Sequence, residues 1–382
     1  MSAYVSTLLG YGATLLAVVG SMFLLSWVRD RKATWLLWAT MPFILGVGGN
    51  ILLIGDQFAS HAWFARLGVA LLLLAYGFAW QALRVFGGRP PALGWVLGPV
   101  LLWMTFSVMI AGPWQLGTAS AACRGLLVAL FNGLAAWELR REPGQDPPSR
   151  PVLFWMLAVF AAVGGLRACL AGILPSPLGG QPTQNWSVAA FNLFAIAEAL
   201  IVSGFMIALS RERVALANYA IALRDPLTGL ANRRALDERA IVLDRDRRAG
   251  MTTVLLCDLD RFKSINDRFG HGIGDAVIRL VADTAARSLR AEGDMFRLGG
   301  EEFVCLLPGL DGDQALLRAE RFRRAFAEAA ATVSGHRVDA TLSIGIASDR
   351  SGASTIETLL ARADDALYEA KRSGRDQSVR AA

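Results

Sequence analysis

Two adjacent carboxylates, Glu301 and Glu302, are the residues of this chain best suited to bind a cation. They follow a Gly-Gly pair and lie between two apolar runs, 294–298 and 304–307, which predicts the tip of a β-hairpin. Glycine supplies the positive φ that a tight hairpin turn needs. Like charges repel there unless a cation lies between them, and Mg²⁺ prefers carboxylate and phosphate oxygens. The pattern therefore indicates a divalent-cation site, with a solvated acidic turn as the alternative.

A second carboxylate lies upstream, where a predicted strand ends. Residues 252–257 are mostly apolar and lead into Asp258, after which the chain reads as a helix. An apolar strand that ends in Asp places its carboxylate at the edge of the sheet, where ligands of α/β sheets bind. Asp258 is thus expected at a sheet edge where a ligand can bind.

With these two segments, the chain resembles the GGDEF family of diguanylate cyclases, in its GGEEF variant. The resemblance covers roughly residues 223–380, and the order of its motifs makes coincidence improbable. The segments that carry it are 225–234, 252–267, 269–275, 299–303, 341–345 and 366–375.

The resemblance implies an enzyme that joins two GTP molecules into cyclic di-GMP and releases two pyrophosphates. It implies an α/β domain in which a central, antiparallel-type sheet in the order βααββαβ is flanked by helices. It also implies a homodimer, because each 3′-OH must attack the α-phosphate of the other GTP. Mg²⁺ or Mn²⁺ would neutralise phosphate charge during this attack.

The family's metal and catalytic positions fall on matching residue types here. Asp258, Glu301 and the main-chain carbonyl of Leu259 match the metal ligands. Glu301 also matches the general base for the 3′-OH, and Lys263 matches the lysine that steadies charge on the transferred phosphate. Three further acidic residues are expected to support the site or cap helices: Asp260, Asp267 and Glu302.

Substrate-binding positions of the family also match. Asn266 and Asp275 match the pair that reads guanine, whose N–H groups a carboxylate can accept. His271 matches a further substrate contact, with a plain turn residue as the alternative. Lys371 and Arg375 lie four residues apart, hence on one helix face, and match residues that hold the β- and γ-phosphates.

A regulatory motif of many relatives is altered. An Arg-x-x-Asp pair ahead of the hairpin binds the product there and inhibits the enzyme. Here Arg290 holds the Arg position, but Gly293 stands at the Asp position and Asp294 comes one residue late. The expectation is feeble or absent product inhibition.

The first half of the chain has a different composition from the second. All eleven Trp precede residue 187, and residues 1–209 carry 11 Lys/Arg against 6 Asp/Glu. The high pI thus belongs to this half, and nucleic acid is not expected as a partner. Seven apolar segments can each cross a bilayer core of about 30 Å. They span residues 5–28, 33–54, 62–83, 92–111, 119–138, 151–174 and 187–209.

Loop charges predict the orientation of these segments. The loops that carry Lys and Arg alternate with loops near 55–61, 112–118 and 175–186 that carry none. The positive-inside rule then places the N-terminus outside and the C-terminal domain in the cytoplasm of a bacterium, with the chain integral to its inner membrane and in contact with lipid. The first apolar segment is expected to be an anchor and not a cleaved signal peptide.

The predicted organisation is a transmembrane sensory region (1–209), a juxtamembrane coupling helix (210–224) and a cyclase domain (225–382). Leu209, Leu216 and Leu223 recur every seven residues and form a short candidate seam for a parallel coiled coil, with a plain juxtamembrane helix as the alternative.

Ionisable residues inside the spans are costly and often functional. Arg66, Arg124 and Arg167 fall in the outer halves of their helices, and Glu198 lies near the middle of the seventh. They suggest a polar pocket, and the alternative is that the arginines snorkel to the interface or pair with Glu198.

Two other functions stay open at this point: a non-catalytic receptor that only binds nucleotide, and a transporter or channel with a regulatory domain. The intact Gly-Gly turn and metal positions favour the enzyme. The stimulus, the sign of its effect and the effector that reads the product do not follow from the sequence.

Overall fold

A computed structural model describes residues 2–59, 62–141, 147–245, 250–289, 293–350 and 353–381. The chain divides into two compact units, Met1–Ala215 and Leu216–Ala382. Each has its own hydrophobic core, and each is described by itself below.

In its described part, the first unit consists of seven long apolar helices, as the hydropathy pattern predicts. A π-helical turn, Ser107–Ala111, extends the fourth of them. Each helix, with this extension, is long and apolar enough to cross a membrane. The helices are α1 (Ser2–Arg29), α2 (Thr34–Ala59), α3 (Ala62–Phe86), α4 (Gly94–Phe106), α5 (Gly117–Arg140), α6 (Ser149–Cys169) and α7 (Asn185–Ala222).

The surface of this unit is apolar where a water-soluble protein would be polar. Trp95, Leu102 and Leu193 are each 72% exposed, whereas the polar side chains of Asn132 and Glu198 are buried. In hydrocarbon, exposed apolar side chains cost nothing, while polar groups must find partners inside the protein. The unit is therefore compatible with a membrane bundle.

Small residues let α5 and α6 approach closely. A Cβ atom at Gly125 would lie 2.9 Å from the carbonyl oxygen of Gly164, and one at Gly164 would lie 2.8 Å from the amide nitrogen of Ala129. Any side chain at either glycine would push the helices apart. Close backbone contact of this kind is typical of helix pairs in membranes.

A buried carboxylate on α5 binds the end of α3 and the loop that follows it, at one end of the bundle. The Glu138 side chain is 4% exposed and pairs with Arg84 at 2.7 Å and with Arg89. The Arg150 guanidinium donates to the carbonyl of Leu139 at 2.7 Å. Because the two arginines surround Glu138, its charge is compensated inside the protein.

The second unit is an α/β domain. Its elements are β1 (Ala231–Asn232), α8 (Arg233–Arg245), β2 (Met251–Leu259), α9 (Phe262–Phe269), α10 (His271–Ser288), β3 (Asp294–Gly299), β4 (Glu302–Pro308), α11 (Gly312–Ala329), β5 (Thr332–Val333), β6 (His336–Arg337), β7 (Leu342–Arg350), α12 (Ile356–Arg372) and β8 (Ser378–Arg380).

The sheet has the strand order β1-β3-β4-β2-β7-β8, and β5 and β6 form a separate hairpin. The predicted βααββαβ order is confirmed from β2 to β7, with the β5–β6 hairpin inserted between α11 and β7. The central pairs are antiparallel, but β1 pairs with β3, and β8 with β7, in parallel. The sheet is therefore mixed and not antiparallel throughout, because helical crossovers bring the short edge strands back in the same direction.

Strand β2 is buried on both faces. Leu255 and Cys257 pack with α10 and α11, whereas Val254 and Leu256 pack with α8 and α12. Successive side chains of a strand point to opposite faces, so Asp258 falls on the face that α12 covers. The alternation of side chains along β2 therefore decides which helix can reach the Asp258 carboxylate.

Candidate functional site

The predicted hairpin is formed by β3 and β4, and Gly299, Gly300 and Glu301 lie at its tip. Gly300 has φ 53° and Gly299 has φ 149°, both in the region that favours glycine. The β3–β4 register shifts between Arg297 and Gly299, so the turn is irregular. The two glycines thus allow the sharp turn that presents Glu301.

Arg297 braces this tip, a role that the sequence did not reveal. Its guanidinium donates to the carbonyl of Gly300 at 2.8 and 3.2 Å and to the carboxylate of Asp225 at 2.9 Å. The two side chains are 10% and 17% exposed. Burial would raise the pKa of Asp225, but hydrogen bonds from Thr228 and Arg297 outweigh it and lower that pKa below its ordinary 3.8. The opening segment of the domain is thereby tied to the hairpin.

The end of β2 lies beside the hairpin tip. Asp258 is opposite Glu302 on β4 and opposite Ser343 on β7, and it is 6% exposed. The amide of Leu259 donates to the carbonyl of Glu301 at 3.3 Å. Adjacent antiparallel strands thus bring the three predicted metal-ligand residues together.

The electrostatics around Asp258 and Glu301 fit the binding of a cation. Burial, followed by the nearby charge of Asp258, raises the pKa of Glu301. Burial likewise raises the pKa of Asp258, against the hydrogen bond from Lys371. A divalent ion would relieve the repulsion between two such carboxylates. No group of three acidic, His or Cys residues among those described could hold a metal, so further ligands would come from a main-chain carbonyl, phosphate or water.

Lys371, near the end of α12, already supplies one positive charge here. Its Nζ lies 2.8 Å from Oδ2 of Asp258, and the two side chains are 34% and 8% exposed. Arg375 follows α12 with φ 67°, and its amide donates to the carbonyl of Ala370 at 3.0 Å. Its charge acts on Asp258 in the same direction as that of Lys371. The predicted phosphate-binding pair thus lies near the predicted metal ligands.

Asp260 links three segments around the site. Its carboxylate accepts hydrogen bonds from the hydroxyls of Thr341 and Ser343, both at 2.7 Å, and from the amide of Asp376 at 3.0 Å. Asp260 is 6% exposed. It therefore fixes the turn after α12, next to Arg375, against the ends of β2 and β7. These three hydrogen bonds agree with the supporting role expected for Asp260.

Asn266 on α9 has a buried oxygen without a partner. Its Oδ1 is buried and accepts no hydrogen bond within the described structure. A Cβ atom at Gly274 would lie 1.9 Å from this oxygen, so only glycine fits opposite it. Asp275 follows Gly274 directly on α10 and is half-buried. Asn266 therefore lies next to the part of α10 that carries Asp275.

Lys263 and His271 are exposed side chains. Lys263 lies in the first turn of α9, and His271 is the first residue of α10 after Gly270, whose φ is 84°. Both lie on the α9–α10 corner that carries Asn266, and neither has a described contact with Asp258 or Glu301.

Of the altered regulatory motif, Arg290 lies outside the described residues. Asp294 is ion-paired with Arg239, with 2.8 Å between Oδ2 and Nε. The Asp294 carboxylate, which stands one residue after the Asp position of the motif, is therefore ion-paired within the domain.

Comparisons with known proteins cover the second unit most strongly. Residues 222–377 match the family described as diguanylate cyclase, GGDEF domain. The chain is 43% identical over 158 residues to diguanylate cyclase DgcP of Pseudomonas aeruginosa, which covers 41% of this chain and 23% of that protein. It is 30% identical over 360 residues to the bifunctional diguanylate cyclase/cyclic di-GMP phosphodiesterase MucR of the same organism, covering 88% of this chain and 49% of that protein.

Among solved structures, the GGDEF domain of DgcB from Caulobacter crescentus in complex with c-di-GMP matches at 32% identity. The match covers 42% of this chain and 96% of that chain, with a TM-score of 0.39. The chain spans less than half the length of the two curated relatives named above.

Proposed function

The C-terminal domain of this chain is a GGDEF domain, and from that premise we propose that the chain is a membrane-bound diguanylate cyclase that condenses two GTP into cyclic di-GMP and two pyrophosphates. One observation carries the proposal: Asp258, at the end of β2, lies opposite Glu302 and thus beside the intact Gly-Gly turn that presents Glu301. A domain that only bound nucleotide would be expected to have lost a metal ligand or the Gly-Gly turn, and both are present here.

We propose that Asp258, Glu301 and the Leu259 carbonyl hold Mg²⁺ or Mn²⁺. When bound, such an ion neutralises phosphate charge and lowers the pKa of the attacking 3′-OH. Burial is the main cause of the raised pKa of both carboxylates, and it makes their charged forms costly unless a cation lies beside them, which supports this assignment.

Glu301 is proposed to accept the proton of the 3′-OH as well. Its place on the turn leaves it only half-buried, so its carboxylate is accessible to a ribose hydroxyl. Lys263 is proposed to steady charge on the transferred phosphate; it is exposed and free to reach a nucleotide at the α9–α10 corner.

Asn266 and Asp275 are proposed to read the guanine base, with His271 as a further contact. The unpartnered Oδ1 of Asn266 supports this role, because a buried amide oxygen without a donor costs about 1–3 kcal/mol unless a ligand supplies one. Guanine offers N1–H and N2–H₂ as donors, and Asp275 adds a carboxylate acceptor.

Lys371 and Arg375 are proposed to hold the β- and γ-phosphates. Lys371 is now paired with Asp258, so phosphate binding would draw its ammonium from one anion to another. Asp260 is proposed as a positioning residue that keeps Arg375 in place through the amide of Asp376.

Catalysis is proposed to need a homodimer, with one GTP in each copy and each 3′-OH attacking the other α-phosphate. The seam predicted from Leu209, Leu216 and Leu223 is wrong at Leu209, which is fully buried in the core of the first unit, whereas Leu216 and Leu223 are half-buried. Beyond Leu209, the apolar residues that α7 exposes include Val214 (58%) and Ile221 (72%). They are seven residues apart, and the small, exposed Ala217 lies between them, which suits a parallel two-stranded contact.

The seven-helix unit is proposed to lie in a bacterial inner membrane, in contact with lipid, with the N-terminus outside and the GGDEF domain in the cytoplasm. The proposed division is a sensory region (1–209), a coupling helix (210–224) and the cyclase domain (225–382). The unbroken course of α7 to Ala222 supports a helical coupling segment.

The test is to give the full-length protein in detergent GTP with Mg²⁺ or Mn²⁺ and to separate the products by chromatography. Cyclic di-GMP from the wild type but not from Glu301→Ala would support the enzyme and its metal site together. GTP binding by a dimer without any product, at any metal concentration, would contradict the proposal and favour a nucleotide-binding receptor.

A further inference from the structure

A cavity of about 600 Å³ lies inside the seven-helix unit, at the end opposite Glu138. Its position follows from α5, because Arg124 lines the cavity near the start of that helix whereas Glu138 lies near its end. Helix α7 contributes Phe191 and Asn192 to the wall. The volume is enough for a small organic molecule.

Three arginines from three different helices line this cavity: Arg66 on α3, Arg124 on α5 and Arg167 on α6. Arg124 donates to the carbonyl of Gly179 at 3.3 Å. Arg167 donates to the carbonyls of Pro177 and Leu178 at 3.2 and 3.4 Å. These acceptors orient the guanidinium groups, but a neutral carbonyl does not cancel a charge.

The other close contacts of Arg66 and Arg167 are aromatic rings, and the charge of Glu198 acts on Arg167 only from beyond ion-pair distance. Arg66 lies 5.9 Å from the ring centroid of Trp63, and Arg167 lies 5.1 Å from that of Phe191. None of the three forms an ion pair with a carboxylate in the described part of the chain. Among the cavity's lining residues the only acidic one described is Asp56. The lining therefore carries two more positive than negative charges.

Cationic groups in a membrane interior are costly without counter-charge. The rest of the wall is largely apolar, with Leu72, Trp103 and Val128 among its residues. From the charge, the volume and these walls, we infer that the cavity binds an anion that has an apolar body: a carboxylate or phosphate group held by Arg124 and Arg167, with its apolar part against the helices.

The cavity also has a connection to α7. The Tyr76 side chain lines the cavity and donates to Glu198 of α7 at 3.2 Å, and Asn132 donates to the same carboxylate at 2.8 Å. Arg167 contacts Phe191 of α7 directly. An anion that draws Arg167 toward itself changes these contacts. That such a change alters cyclase output rests on the proposed function, whereas the binding itself does not.

Binding is tested with benzoate as probe and benzyl alcohol as its neutral counterpart, by calorimetry on the full-length protein in phosphatidylcholine nanodiscs. We expect saturable benzoate binding and no saturable binding of benzyl alcohol. Arg124→Gln and Arg167→Gln should each weaken benzoate binding by about tenfold or more, because each removes a charge-assisted hydrogen bond.

The matched control is Arg31→Gln, which removes an arginine of the same unit that lies over Trp27 and not in the cavity. It should bind benzoate as the wild type does. Arg124→Lys and Arg167→Lys retain the charge and should retain most of the binding, even if a glutamine variant fails to fold. Equal binding of benzoate and benzyl alcohol, or wild-type affinity in folded glutamine variants, would overturn the inference.

Two further arms distinguish the source of the anion and separate this inference from the proposed enzyme. If phosphatidylglycerol in the nanodiscs displaces benzoate, the natural occupant is a lipid phosphate; if it does not, the occupant is a soluble anion, and either outcome supports the site. Benzoate binding to Glu301→Ala should equal that of the wild type, so the cavity can be tested even where no cyclic di-GMP forms.

Discussion

Replacing Arg297 with Met should loosen the hairpin tip that carries Glu301. The substitution removes an ion pair with Asp225 and two hydrogen bonds to Gly300. Breaking a buried pair typically costs about 3–5 kcal/mol. Asp225 keeps two hydrogen bonds from Thr228, at 2.9 and 2.7 Å, so it is not left without partners. We therefore expect a loss of about 2–3 kcal/mol in local stability.

Hydrogen exchange of the full-length protein, read by mass spectrometry on peptides that span the hairpin, measures this loss. Since about 1.4 kcal/mol corresponds to a factor of ten, exchange at the tip should accelerate roughly 30- to 150-fold. The rate of cyclic di-GMP formation at saturating GTP should fall as well, because Glu301 no longer has a fixed position.

Arg234→Met is the matched control. Arg234 pairs with Glu238 at 3.7 Å across an exposed helix face, with side chains 63% and 40% exposed. Such a pair contributes only about 0.3–0.5 kcal/mol, so exchange at the hairpin should stay near that of the wild type. If Arg297→Met also exchanged at the wild-type rate, the bracing of the hairpin by Arg297 would be refuted.

Four further outcomes are expected. Asp258→Asn should abolish cyclic di-GMP formation at any Mg²⁺ or Mn²⁺ concentration, and chromatographic recovery of product at high Mn²⁺ would contradict its role as a required ligand. Asn266→Ala should raise the KM for GTP by about tenfold or more, through a lost base contact, with kcat changing less; an unchanged KM in steady-state assays would remove Asn266 from the guanine site. The lowered pKa of Asp225 stabilises the fold above pH 3.8, and this stabilisation is lost as pH falls from there through the folded-state pKa. Below about pH 3.8 the wild type should therefore lose more stability in denaturant titrations than Asp225→Asn; parallel losses would contradict this. Val214→Glu should dissociate the proposed dimer in light scattering and stop turnover, whereas an active monomer would exclude a required homodimer.

Product inhibition should be weak, because the altered motif has Gly293 in place of an acidic residue and Asp294 is paired with Arg239. Potent inhibition at low micromolar cyclic di-GMP would contradict this expectation.

Local patterns in the sequence were enough to predict much of the molecule. Apolar stretches of bilayer length predict seven helices, and seven are found in the described part of the first unit. The Gly-Gly pair between two apolar runs predicts the β3–β4 hairpin, and the apolar run before Asp258 predicts β2. These features depend on periodicity and turn chemistry within about ten residues, which a single sequence displays directly.

Contacts between distant residues were decided only by the tertiary structure. Arg297 meets Asp225 from 72 positions away, and Asp260 accepts from Thr341, Ser343 and the amide of Asp376, which are 81, 83 and 116 positions away. No local pattern singles out these partners, because the chain offers many arginines that can donate, many carboxylates that can accept and many hydroxyls that can do either. Strand order and register choose among them.

The same holds for the first unit. The sequence placed arginines in three separate helices, but only the packing of α3, α5 and α6 brings Arg66, Arg124 and Arg167 to one cavity. Likewise, the heptad spacing predicted a seam that begins at Leu209, but this residue is buried, and the side chains that α7 leaves exposed beyond it include Val214 and Ile221. Spacing determines which residues share a helix face, whereas the neighbouring helices determine which face stays free.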